Sequence, residues 1–294
     1  MCWETRLIKS YLFVNQVFKE KLQYYCQRMS NNRSPELTDE EVVTIYLWGI
    51  MQNRIRIKDI YNYTDNHLRD WFPDLPSYQA YVTRLNRLED VFAPLVEELQ
   101  KYFPMNNLKN ASRLVDSMPI ILAQEKRSQR AKVAKNLANK GYCGSKDYYY
   151  HGVKLHILGL KRKGTLPLPD YVGLTPASNH DLSAFRQITP YIHDCEVYAD
   201  KAYISALEKE FLEAQNTALL TPVKKAKGQE NLFLFEQLLS TSVSRVRQPI
   251  ESLFNWIQEK TNIQVASKVR SSKGLIVHVF GRLAAAFFLL AFNS

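Results

Sequence analysis

Two aspartates in this sequence fall where charge is expensive. Asp116 interrupts the apolar run "LVDSMPI", and Asp200 interrupts "EVYADKAYIS", in which Val197, Tyr198, Ala199, Ala202, Tyr203 and Ile204 read as a core strand. An ionised carboxylate in such surroundings costs several kcal/mol unless something pairs with it. The two strands can be neighbours in one sheet, which sets like charges side by side. A divalent metal bound through oxygen ligands commonly reconciles such a pair. The best third ligand is Glu251 in "SRVRQPIESLFNWIQEK" (244–260), expected one turn into a helix that Pro249 starts and set among basic residues. Alone it reads as a partner for the helix dipole; beside two aspartates that need a counter-charge it reads as a ligand. Three carboxylates on two strands and a helix describe a metal-dependent phosphoryl-transfer site, with Asp116, Asp200 and Glu251 holding two Mg²⁺ ions about 3.5–4 Å apart.

The elements that must position these acids change character along the chain. Up to about residue 105 the apolar period is helical. "LTDEEVVTIYLWGIMQN" (37–53) opens on Thr38 and Glu41, a capping box, and a second helix is expected over 77–103, bent near Pro94. The stretch carrying Tyr78, Gln79, Arg84, Asn86 and Arg87 fits a helix-turn-helix DNA reader, with Arg84 and Arg87 as contacts. It equally fits a helical bundle that only supports the next domain. Beyond residue 110, short β-rich runs at 112–122, 150–161, 169–178, 195–200 and 217–223 alternate with helical patterns at 182–192, 205–215 and about 248–260. Three strands followed by β-α alternation predict an α/β mixed sheet with flanking helices. The expected domains are a helical region over 1–105 and a catalytic domain over 106–294, with a mostly helical insertion around 224–246.

Charge points to the partner. The net charge is +10, but residues 1–110 hold 14 Lys/Arg against 14 Asp/Glu and residues 151–240 hold 10 against 10. The excess lies in residues 111–150 (8 against 3) and 241–294 (7 against 2). Two separated basic blocks are explained if they converge on a polyanion such as DNA or RNA. In "EKRSQRAKVAKNLANK", Arg127, Arg130, Lys132 and Lys135 are spaced to follow one DNA strand, or to form a solvated loop. The four cysteines show no Cys-x2-Cys or Cys/His ligand spacing, which excludes a disulfide framework and a zinc finger and makes a reducing cytoplasm the default. "MCWETRLIKSYLF" lacks the apolar core of a signal peptide. The C-terminal "LIVHVFGRLAAAFFLLAFNS" is broken by His278, Gly281 and Arg282, so a buried helix is expected rather than a membrane span. His180–Asp181 reads as a helix-capping turn in preference to an acid/base pair.

The phrases "VDSMPI", "GVKLHILG", "LTPASNHD", "YADKAYIS" and "RQPIESLFNWI", with Asp116, Asp200 and Glu251 in that order, resemble the DDE transposases of bacterial insertion sequences, in particular the insertion-sequence nine-eighty-two type. The resemblance covers roughly residues 105–290. It implies a ribonuclease-H-like catalytic domain, Mg²⁺ or Mn²⁺, cleavage at transposon ends, and joining of the 3′-hydroxyl to target DNA. The implied partners are double-stranded DNA and a second copy of the chain, since two ends must be brought together, in the bacterial cytoplasm at the nucleoid. Relatives often carry Tyr-x2-Arg-x3-Glu-x6-Lys around the glutamate. Here Arg247 matches, Ser244 stands in the Tyr position, Gln258 in the Lys position, and Lys260 follows two residues later. Arg247, Lys260 and Lys201 are accordingly expected at the DNA. Two alternatives are a nuclease without strand transfer and a transposase-derived DNA-binding protein that has lost catalysis.

Overall fold

Local sequence signals account for most of the elements in the structure, a computed structural model that describes residues 2–27, 35–103, 111–144 and 147–292. The helices α1 (Trp3–Glu20), α2 (Asp39–Met51), α3 (Ile57–His67), α4 (Tyr78–Arg87) and α5 (Glu89–Gln100) come first. Then follow β1 (Ala111–Gln124), α6 (Glu125–Ser128), β2 (Asn139–Cys143), β3 (Tyr148–Leu160), β4 (Leu168–Pro176), α7 (Asp181–Phe185), β5 (Cys195–Tyr198), α8 (Ala206–Glu213) and β6 (Ala218–Leu220). The chain closes with α9 (Leu234–Thr261), α10 (Ser272–Ile276), a wide π turn over Val277–Gly281, and α11 (Arg282–Phe292).

The capping box forms as the residues require: Thr38 Oγ1 accepts from the Glu41 amide at 3.2 Å, and Glu41 Oε2 accepts from the Thr38 amide at 2.6 Å. Other expectations need correction. The helix expected over 77–103 is two, parted at Leu88, and Pro94 lies inside α5 instead of bending a longer helix. The helix expected over 182–192 stops at Phe185 and resumes only as a 3-10 turn over Thr189–Tyr191, where Pro190 withholds its amide. Pro249 does not start a helix. Helix α9 begins at Leu234, so the expected insertion over 224–246 is a loop followed by the first turns of the same helix. Buried Val243, Ile250, Leu253, Phe254 and Ile257 form a stripe on both sides of the proline, and packing along it holds the helix through.

The chain divides into two compact units, Met1–Phe103 with Ile257–Ser294, and Pro104–Trp256. Ile257–Ser294, which the sequence reading places in the catalytic domain, groups with the N-terminal helices. The expected boundary at 105/106 lies outside the described residues. In the helical unit, Leu283 to Phe288 of α11 are fully or nearly buried and pack on α2 and α5. Phe13 meets Tyr102, Phe288 and Phe292 edge to face at 5.2–5.7 Å. Ser272–Phe292 is long and apolar enough to cross a membrane, yet 67% of its apolar 18-residue window is buried inside the protein, as a core helix requires.

The second unit is a mixed sheet in the order β2-β3-β1-β5-β6, with β4 also paired to β3 and helices on its faces, consistent with a ribonuclease-H-like fold. Strand β1 runs antiparallel to β3 and parallel to β5, and β5 runs parallel to β6. Gly152 of β3 is required where it stands, because a Cβ there would collide with the Ile120 carbonyl of β1. Strand β2, "NKGYC", carries no β-rich run and is absent from the sequence reading; it forms by pairing with Tyr148–Gly152.

His278 anchors the π turn. Its Nε2 donates to the Ile263 carbonyl at 2.8 Å, and burial, with Arg282 close by, pushes its pKa from 6.5 down to about 3. A depressed histidine pKa means that the unfolded chain takes up a proton the folded one refuses. Stability is therefore intact above about pH 6.5 and lost as pH falls toward 3. Urea unfolding between pH 6.5 and 4 is expected to show a loss approaching 1.4 kcal/mol per pH unit from this one proton. His278→Gln, which keeps a donor, should remove that component; identical slopes for the two proteins would refute it.

Candidate active site

The parallel register of β1 and β5 places the two aspartates. The last pair is Leu114↔Tyr198, and two residues farther along each chain stand Asp116 and Asp200. Neighbouring strands lie about 4.8 Å apart, so this register brings the carboxylates level. "EVYADKAYIS" is not one strand: β5 ends at Tyr198, and Asp200 opens the 3-10 turn Lys201–Tyr203 beyond its carboxyl end. Alternation then sorts the side chains. Val115, Val197 and Ala199 point into the core with Phe185, Ile188 and Leu212, leaving Asp116 to the opposite face. Helix α9 covers that face. Its buried Ile250 reaches Gly159 of β3, where an added Cβ would stand 3.2 Å from Ile250 Cδ1. Glu251 follows directly, one turn after Arg247.

Arg247 ties the group together. Its Nη1 donates to Asp116 Oδ2 at 2.7 Å and its Nη2 to Glu251 Oε1 at 2.5 Å, while the Ser117 amide donates to Asp116 Oδ1 at 2.8 Å. One cation nevertheless serves three carboxylates. Burial is the main force raising the Asp116 pKa to about 6, and the charges of Asp200 and Glu251 add to it, against the pull of Arg247 and the Ser117 amide. Burial disfavours the Arg247 guanidinium too, but Asp116, Glu251 and Asp200 outweigh it and hold its pKa above the ordinary arginine value. The Arg247 fork thus joins Asp116 to Glu251, and the β1/β5 register sets Asp200 beside Asp116.

They do not converge on a point. Among the described residues no group of three or more His, Cys, Asp or Glu side chains stands close enough to hold one ion, and Arg247 lies between Asp116 and Glu251. The donor set itself fits a hard cation: three carboxylates, one of them pushed up to about 6 chiefly by burial.

The residues expected at DNA fall into two groups. Lys201, Arg87 and Lys132 are exposed, and Arg127 and Arg130 join Lys126 along a cleft of about 590 Å³. Lys135 is exposed as well. Arg84, by contrast, is mostly buried in an ion pair with Asp39 at 2.7 Å, and Arg247 is held by the acids. Lys260 pairs with Glu259 at 3.0 Å.

Sequence reasoning missed a second polar network. Asp181 accepts from Ser117 Oγ at 2.9 Å and Lys154 Nζ at 3.1 Å, with His156 Nδ1 4.0 Å away. His156 Nε2 sits 2.8 Å from Thr175 Oγ1, and burial lowers its pKa to about 4. Asp181 is thus fixed to the strands and is no acid/base partner for His180, whose side chain makes no capping bond. Lys154 and His156, two residues apart in apolar "GVKLHILG", were the available signal.

A family model described as the transposase DDE domain matches residues 107–272, more than half of the chain. No curated protein matches.

The Arg247 bridge makes a prediction. Arg247→Met leaves three carboxylates facing one another, and unfolding in urea at pH 7.5 should show a loss of about 2–4 kcal/mol. Because the folded Asp116 pKa is raised, its penalty is present above that pKa and relieved as pH falls through it. The variant should therefore recover much of the loss at pH 5; an equal loss at both pH values would contradict the assignment.

Proposed function

The chain belongs to the DDE-domain transposase family, and on that premise we propose that it cuts DNA at the ends of an insertion sequence of the nine-eighty-two type and joins the freed 3′-hydroxyl to target DNA. The observation that carries the reading is the convergence of Asp116, Asp200 and Glu251 on Arg247, at the carboxyl end of β5 beside β1. Asp116, Asp200 and Glu251 are the residues that would hold Mg²⁺ or Mn²⁺, as two ions. When bound, the metal supplies activation of the attacking oxygen and neutralisation of the leaving one.

The chain's own residues do the rest. Asp116, with a pKa of about 6, is mainly ionised at pH 7 to 8 and presents its charge there. The Arg247 fork, matched to two carboxylate oxygens in the present arrangement, is equally matched to the oxygens of a phosphate. Lys201, one residue after Asp200, and the Arg127/Arg130 cleft with Lys132 offer cations to the DNA backbone, with Arg87 and Lys260 as further contacts. Bringing two ends together calls for a homodimer or larger assembly on double-stranded DNA, in the bacterial cytoplasm. The Arg247 bridge favours one alternative, a transposase-derived protein that binds DNA without cutting it.

Asp200→Asn distinguishes these. It should reduce Mg²⁺-dependent cleavage of DNA bearing the element's ends to background, read on a denaturing gel, while DNA affinity stays within about twofold. Undiminished cleavage by the variant would sink the assignment, and a wild-type protein that binds the ends but never cuts them would favour the alternative.

A further inference from the structure

A cavity of about 830 Å³ lies entirely within the helical unit, walled by the loop after α2 and by the segment after α9. Arg54, Arg56 and Lys58 stand on one wall, Lys268 and Arg270 on the other, and all five are exposed. Asp59 is the single carboxylate among the described residues that line it, and none of the five cations forms an ion pair among the described residues. Five exposed cations against one carboxylate around one concavity are the footprint of an anionic ligand.

Further features agree. Helix α3 starts in the wall with Arg56 at the N-cap position and no side chain capping it, so its dipole adds to the positive field. The buried side chains of His278, in the π turn, and Arg282, the first residue of α11, back the cavity, and such a turn is an irregularity often found at functional sites. Ile55 and Val265, 46% and 50% exposed, offer apolar surface beside Tyr78.

Charge and surface select the ligand. The volume lies in the range of ligand pockets, about 300–1,000 Å³. Five cations spread over two walls suit successive backbone phosphates better than a single anion. Cations on the rim with apolar and aromatic surface inside are the means by which proteins hold unpaired strands. We propose that this cavity binds an unpaired segment of DNA, at a site distinct from the three carboxylates.

The test is fluorescence anisotropy in EDTA, so that cleavage does not enter, with a labelled single-stranded oligonucleotide and a blunt duplex of the same sequence. Arg56→Glu/Arg270→Glu should weaken single-strand binding by at least about tenfold and flatten its salt dependence by about 1.4 in log-log slope, two phosphate contacts' worth. Duplex binding should stay within about threefold. Lys58→Glu/Lys268→Glu, on the same two walls, should behave alike, with thermal melting confirming that both proteins fold. Unchanged single-strand affinity, or an equal loss for duplex and single strand, would overturn the proposal. Because the assay needs neither metal nor cleavage, a failure here is distinguishable from a failure of the transposase reading, which the cleavage assay reads.

Discussion

The sheet unit is organised around an imbalance of charge: one guanidinium, Arg247, answers three carboxylates carried by three different elements. Each element reaches that place for its own reason. The parallel pairing of β1 with β5 makes Asp116 and Asp200 level, strand alternation turns Asp116 away from the Val115/Val197 core, and the apolar stripe of α9 seats Glu251 above them. Displacing β1 by one residue would send Asp116 to the other face of the sheet, and displacing α9 by one would swing Glu251 about 100° around the helix. The charged cluster therefore depends on apolar packing for its geometry, although it contributes little apolar contact itself.

The same dependence explains what the sequence shows and what it hides. An aspartate inside an apolar run is visible because it violates the pattern of its strand, so Asp116 and Asp200 stood out, as did the change from helical to strand period near residue 110. Their adjacency was also legible, since few strand orders satisfy three strands followed by β-α alternation. Glu251 is marked by its company of basic residues, but the sequence pattern marks only the later turns of its helix. Pro249 looks like a helix start in isolation, and only the stripe running from Val243 to Ile257 shows that packing overrides it.

Pairing and burial of individual side chains were not legible, because they are properties of tertiary contact. Arg84 and Arg87 are three residues apart and chemically alike, yet Arg84 is committed to Asp39 while Arg87 is exposed. Strand β2 has no periodic signal of its own and exists because β3 offers it an edge. Averaging charge over long blocks hid a feature as well. Residues 1–110 sum to zero, but Arg54, Arg56 and Lys58 sit within five residues with Asp59 the one acid beside them.

The two units carry opposite imbalances. In the sheet unit three carboxylates outnumber their cation, and burial, with the neighbouring acids adding to it, pushes the Asp116 carboxyl up to about 6. In the helical unit five exposed cations surround one cavity with a single acid among the described lining residues. Unpaired charge of one sign opposes compaction, and a folded chain that retains it in a concave site meets that cost most readily when a ligand of opposite sign is its partner. The oxygen donors of the acids suit a hard cation, and the basic cavity suits phosphate. A chain that presents both at once has the complementary chemistry for metal-assisted work on a nucleic acid backbone, and that inference follows from charge and burial independently of any likeness in sequence.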